Sequence, residues 1–413
     1  MMSSWSLRRV GKNLLAGATV AIVALPLALA FGIGAGLGAQ AGLVTAIIAG
    51  AIAAGFGGSK FQVSGPTGAM TVILIPIVVS FGPIAVLQVG LMSSGFLLLA
   101  AALRLGNLVK RLPTALVEGF TAGIAIVIAL QQVAFLLGVD LVAEDRIWQS
   151  VWLEVASWLQ KPSWAALVVG LAVLVANLGL GAKYPRFPVA FVSVVIAGIA
   201  NFVFGIGIET IGQLPQLSNS ISLDFLEAGN WLMLIPPALA VAFLAGLESL
   251  LSARIADGLA KSASHNPNKE LMGQGLANLV VPFFGGIPAT AALARTAVNI
   301  RAGGDSRLAA ISHSIILLLF IMSLSSAISE IPLAALAGVL IATAYRMVKV
   351  SELKRLAAKS RLDGLVLFTT LISTIMFDLI SALLLGLAIH LALRKSSLSK
   401  QRIPVSPDET LGD

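Results

Sequence analysis

Apolar stretches of about 20 residues recur from Leu14 to Leu393 with only short polar breaks between them, and each approaches the length a helix needs to cross a hydrocarbon core. Within lipid every backbone N–H and C=O must be satisfied inside the segment, which leaves helices as the spanning element for runs of this kind. Composition agrees, with 58% hydrophobic and 11% charged residues, where soluble domains carry roughly a quarter charged. No soluble domain fits in the gaps. Arg8, Arg9 and Lys12 precede a run that continues past Pro26 toward Ile33 and is followed by many others, so it reads as a first span rather than a signal peptide. The chain has no cysteine, and its three scattered histidines (His265, His313, His390) make no metal cluster.

Hydropathy predicts an all-α membrane protein of about 14 spans: 12–33, 38–57, 67–81, 84–103, 116–138, 164–181, 187–206, 231–256, 269–286, 289–301, 307–323, 327–346, 362–376 and 378–394. With the amino terminus inside, the basic residues gather on one face, from Arg8, Arg9 and Lys60 through Lys183, Arg186 and Lys261 to Lys395, Lys400 and Arg402. Only Arg146 and Lys161 fall on the other face, beside acids such as Asp140, Glu144, Asp145 and Glu154. This asymmetry puts both termini in the cytoplasm of a plasma (inner) membrane protein, and it accounts for the net charge of +8 without a nucleic-acid partner. The segment 147–159, with Trp148, Val151, Trp152, Val155 and Leu159 set among polar residues, reads as an amphipathic helix on the outer surface or as an ordinary loop helix.

Two spans are short, and each follows a Gly/Pro-rich break: Ser64-Gly65-Pro66-Thr67-Gly68 before the third, and Gly285-Gly286-Ile287-Pro288-Ala289-Thr290 before the tenth. About 15 residues at 1.5 Å rise do not cover roughly 30 Å, so both are expected to be half-helices. They occupy corresponding places in two halves of about seven spans each, residues 1–210 and 211–395, with a polar tail at 396–413. An odd number of spans per half inverts the second half in the membrane and makes the two half-helix amino termini face one another. The alternative is that these are small-residue packing motifs.

A helix amino terminus presents unpaired N–H groups and partial positive charge, so two of them aimed at one point bind an anion without a side-chain cation. The small or apolar first turns, Thr67, Gly68 and Ala69 and then Ala292, Leu293 and Ala294, leave backbone open to a compact ligand. Arg295 in the tenth span and Glu248 in the eighth each cost about 2.5–3.5 kcal/mol to insert, so each needs a partner or a task. They either pair with one another, or Arg295 focuses the anion while Glu248 couples transport to a cation. Ser252, one turn after Glu248, and Thr290 would complete a cation site. A single long carboxylate suits a proton better than a caged sodium ion, which stays the alternative. Glu118 and Asp378, near span ends, read as structural, and Gln131, Gln132, Asn299 and His390 as makers of interhelical bonds. No nucleophile–base arrangement, Walker loop or dinucleotide fingerprint is present, so the chain reads as neither an enzyme nor a cofactor binder.

The run from Gly17-Ala18-Thr19-Val20 through Leu25-Pro26 and Ala30-Phe31, with Ser64-Gly65-Pro66-Thr67-Gly68-Ala69, resembles the first and third spans of the sulfate permease (SulP) family of anion transporters. Asn268 to Asn278, and Gly285-Gly286-Ile287-Pro288-Ala289-Thr290 through Arg295 to Gly304, resemble its ninth and tenth. The resemblance implies core and gate domains, the core built from spans one to four and eight to eleven, working by elevator-like alternating access. It implies that Phe31 lines the anion pocket, that Arg295 matches a basic residue near the anion, and that Glu248 matches the coupling carboxylate. Three residues depart from the family pattern: Leu27 stands where many sulfate-type members have glutamine, and Glu248 and Ser252 stand for the aspartate and threonine of sodium-driven bicarbonate members. The resemblance also implies a cytoplasmic STAS domain after the spans; here only the polar tail follows Lys395, and either the domain was removed or this member never had one.

The expectation is therefore a secondary active transporter of a small inorganic anion, of the bicarbonate or sulfate class, coupled to H+. The alternatives are a Na+-coupled bicarbonate symporter, a dicarboxylate transporter, a nucleobase:cation symporter of the same fold, or a passive anion channel. Nucleobase symporters are expected to offer a second acid from the tenth span, where this chain has Arg295. Partners are the anion and the bilayer, with a homodimer left open.

Overall fold

The computed structural model describes residues 6–111, 113–142, 146–185, 187–213, 223–227, 231–377 and 379–400. Glu144, Asp145, Arg186, Asp378, Arg402 and the tail from 401 onward lie outside the described residues. Eight helices among those described are long and apolar enough to cross a membrane, and Gly68–Phe81, Val189–Phe204 and Ser381–Leu393 are shorter apolar helices. The chain is an α-helical multi-pass membrane protein. It divides into two compact units, Met1–Arg111 with Ile124–Met347, and Leu112–Gly123 with Val348–Asp413.

The large unit opens with α1 (Leu7–Gly34), α2 (Gly38–Phe56), the two-residue strand β1 (Ser64–Gly65), α3 (Gly68–Phe81) and α4 (Pro83–Ala102). The predicted fifth span is broken, because a turn at Gln132 separates α5 (Thr114–Gln131) from α6 (Val133–Leu137). After α7 (Ile147–Gln160), α8 (Trp164–Lys183) and α9 (Val189–Phe204) come α10 (Ile235–Ala260), α11 (Pro267–Val280), β2 (Thr290–Ala291), α12 (Leu293–Arg301), α13 (Arg307–Ser329) and α14 (Leu333–Met347). Helix α7 buries Ser150 and Glu154 and leaves Trp152 and Leu159 exposed, the inverse of a soluble helix and the pattern of one whose apolar face meets lipid.

Small residues set the helix crossings. A methyl on Gly42 would land on the Ala28 carbonyl, so α1 and α2 pack backbone to backbone, and one on Gly17 would lie 2.5 Å from the Ala309 carbonyl of α13. Asn13, fully buried, clasps the start of α13: its amide oxygen accepts from the Asp305 and Ser306 N–H groups at 3.1 Å, and its nitrogen donates to Asp305 Oδ1 at 2.8 Å.

Within the small unit, Gly119 and Gly123 bring the first half of α5 against Leu367 and Thr374 of α16 (Arg361–Met376), while α17 (Leu379–Lys400) places Gly386 against Thr370. Hydropathy did not predict α15 (Val350–Lys359), whose charges read as a loop; Leu356 is its buried anchor. Glu118 pairs with Lys349 at 3.6 Å.

Candidate functional site: two half-helix tips on a strand pair

Helices α3 and α12 have 14 and 9 residues, roughly 21 and 14 Å of rise, short of a hydrocarbon core as expected. The tenth span is shorter still than the predicted 289–301, because Thr290 and Ala291 are extended and form β2. The all-helical expectation missed this strand and its partner. β1 and β2 pair antiparallel, Ser64 opposite Ala291 and Gly65 opposite Thr290, and the Ala292 N–H extends the ladder to the Val63 carbonyl at 3.0 Å. Each strand feeds directly into a half-helix, so the pairing ties the two starts together.

Helix α10 stitches both lead-ins with adjacent residues. Glu248 Oε2 accepts from Thr67 Oγ1 at 2.9 Å, and Thr67, as N-cap of α3, also accepts from the Met70 N–H. Ser249 Oγ accepts from the Ala291 N–H at 3.1 Å and bonds Thr290 Oγ1 at 3.0 Å. Thr290 also donates to the Ala245 carbonyl, so its hydroxyl is already engaged by α10. Ser252 is buried, and its hydroxyl has no partner among the described residues.

Phe31 packs against the start of α3. A methyl on Gly68 would sit 3.1 Å from its Cε1, and Thr71 Oγ1 reaches its carbonyl at 3.3 Å. The tip of α3 (Thr67, Gly68, Ala69) is buried, whereas Leu293 and Ala294 at the tip of α12 are exposed and Ala292 partly so. Helix starts leave the first N–H groups without intrahelical acceptors, and α12 has no side-chain cap, so its open tip offers donors to an approaching ligand.

Arg295 is only 1% exposed. Its Nη2 donates to the Pro66 carbonyl, linking the first turn of α12 to the residue that leads into α3. No ion pair joins it to Glu248 among the described residues, so the simple pairing weighed from the sequence is not what the structure contains. Both charges instead bind the 66–67 lead-in of α3, one at a carbonyl and one at a hydroxyl. Sequence reasoning thus found Phe31, Thr67, Gly68, Ala69, Glu248, Thr290, Ala292, Leu293, Ala294 and Arg295 around one place. It missed Ser249, which looked like any small helical residue, and Gln274, whose amide donates to Ser64 Oγ and Glu270 Oε1. Glu270 in turn accepts from the Gly58 and Ser59 N–H groups at 2.8 and 2.9 Å and anchors the turn before β1.

The sulfate permease family model matches residues 11–370. A putative sulfate transporter of Bacillus subtilis, YvdB, is 36% identical over 389 residues, covering 93% of this chain and 73% of that protein. The bicarbonate transporter BicA of Picosynechococcus is 30% identical over 425 residues, covering 97% of this chain and 73% of that one. Among solved structures, the transmembrane domain of a cyanobacterial BicA superposes with a TM-score of 0.84 at 29% identity, over 91% of this chain and 98% of that one. The murine Slc26a9 anion transporter in its inward-facing state gives 0.86 at 16% identity, over 96% and 70%, a likeness of fold.

Proposed function

Because the chain belongs to the sulfate permease family, whose named relatives are transporters and not enzymes, we propose that it is a secondary active transporter of a small inorganic anion, of the bicarbonate or sulfate class, coupled to protons. The observation that carries the reading is the β1–β2 pair, held by consecutive residues of α10, which sets two half-helix starts beside a carboxylate. Helix starts supply about half a positive charge each, enough to hold a compact anion by backbone N–H groups. On this reading Glu248, bonded to the Thr67 hydroxyl, registers the anion's charge.

The finer assignments belong to the same proposal. The two halves form a 7+7 inverted repeat, 1–210 and 211–395, both termini are cytoplasmic, and the anion crosses by elevator-like alternating access. Proton coupling is preferred to sodium because a sodium ion needs several free oxygen ligands, and of the set with Glu248 only Ser252 keeps an unbonded hydroxyl among the described residues.

The test is uptake of bicarbonate, sulfate and a small dicarboxylate into proteoliposomes under imposed proton or sodium gradients, repeated with Glu248→Gln. Proton-driven accumulation of one of these anions is expected, lost in the variant. Accumulation that survives Glu248→Gln, or anion flux indifferent to both gradients, would refute the coupling role.

A further inference from the structure

His313, on the second turn of α13, belongs to no part of the site described so far, and it is fully buried. Neither ring nitrogen has a hydrogen-bond partner among the described residues. A buried imidazole left this way costs free energy comparable to a lost hydrogen bond on each nitrogen, so its environment must hold a group that suits it.

The packing narrows the candidates. Helix α13 lies against α1 and α2 at glycines: a methyl on Gly17 would lie 2.9 Å from the His313 N–H, and one on Gly50 would lie 3.5 Å from His313 Nδ1 and 3.4 Å from the Ser64 carbonyl. The ring therefore abuts β1. A methyl on the next residue, Gly65, would land on Arg295 Nη1, so the guanidinium flanks the same strand. Nε and Nη1 of Arg295 lack partners among the described residues, its bond to Pro66 using Nη2 alone. Two unspent donors and one unspent ring acceptor thus flank the same two-residue strand. The acceptors left over nearby are Asn299 Oδ1, one turn along α12, and Gln274 Oε1. The elements packed on this stretch of α13 bring no other charge to it: α2 has no ionisable residue, and those of α1 (Arg8, Arg9, Lys12) are in its first turns.

We propose that His313 is a positioning residue for anion binding, accepting from the Arg295 guanidinium through one ring nitrogen across a bridging water, and so holding Arg295 on the Pro66 carbonyl at the root of α3. An arginine fork on one carbonyl can swing; a second acceptor fixes its plane. The consequence falls on the tip of α3, which that bond links to α12 in addition to the strand pair. The inference rests on the proposed anion site.

Two substitutions separate this role from packing. His313→Phe fills the space without an acceptor, and His313→Gln keeps an acceptor in a smaller side chain. The acceptor role expects KM for the transported anion to rise on the order of tenfold in the phenylalanine variant, the worth of one charge-assisted hydrogen bond, with Gln within about threefold of wild type. Wild-type KM in His313→Phe, or a defect in Gln as large as in Phe, overturns it. Should His313→Phe fail to fold, 15N resonances of the imidazole in the intact protein decide: removing the donor by Arg295→Met is expected to move the acceptor-nitrogen shift, and an unmoved resonance overturns the proposal. The resonance needs no transport, so a failure of the anion-site reading, seen as wild-type protein that takes up no anion, is distinguishable from a failure of this one.

Discussion

Gly65→Ala is the sharpest perturbation of the strand pair. Gly65 has φ of 156°, a positive value that residues with a side chain rarely adopt, at a cost of about 1–3 kcal/mol. An added methyl would land on Arg295 Nη1 and lie 3.2 Å from the Ala46 Cα. The helix α2 backbone cannot yield, so the guanidinium must retreat and lose its charge-assisted bond to Pro66, a further ~1.5–3 kcal/mol. The expected destabilisation is roughly 2.5–6 kcal/mol. It is measured by SDS titration of the purified protein in mixed micelles, beside Gly95→Ala, where a methyl meets nothing within 4 Å in the middle of α4. The control should be neutral or gain about 0.5–1 kcal/mol. If Gly65→Ala matches this control, Arg295 is not held where the structure puts it, and the account of how the two half-helices are joined fails.

Asn13→Ala should cost about 2–4 kcal/mol in the same titration, because the N–H groups of Asp305 and Ser306 lose their acceptor under a fully buried side chain. Burial would raise the Asp305 carboxyl, but hydrogen bonds from Asn13 and Arg9, with the charges of Arg9 and Lys12, outweigh it and hold the group below its ordinary 3.8. A depressed carboxylate stabilises the fold above the unfolded value and ceases to as pH falls through the folded one, so wild type should exceed Asp305→Asn by a constant margin at pH 6–8 that shrinks below about pH 4. A margin independent of pH throughout would contradict this. Gly68→Val, which adds bulk against Phe31 and Ile128 at the α3 tip, should raise KM for the anion about tenfold or more with the fold intact; unchanged KM would place the anion elsewhere.

The spans were legible because lipid imposes one rule on every stretch of backbone, and the shortness of α3 and α12 showed as Gly/Pro breaks beside apolar runs of insufficient length. The strand pair was not. Ser64-Gly65 and Thr290-Ala291 are too short to show alternation, and their partners are far apart in the chain. Polar residues that bond across segments were equally silent: Asn13, Ser249 and Gln274 carry no periodic or compositional signal, and their roles exist only once distant segments meet. Helix α15 was hidden because its charges outweigh the apolar positions that anchor it.

The charges brought together suggest why proton and anion should travel as a pair on the proposed reading. Arg295 and Glu248, each bonded to the same lead-in, cancel when both are ionised, so the site's remaining attraction for an anion is that of the helix tips alone. An anion bound then leaves one uncompensated negative charge in a medium of low polarity, and a proton on Glu248 removes it. Each ligand thereby improves the site for the other, and by linkage the improvement is the same in both directions. An exposed arginine would have bound the anion without needing the proton. On the proposed reading, burying that charge against the carbonyl that leads into α3 is what leaves room for the coupling.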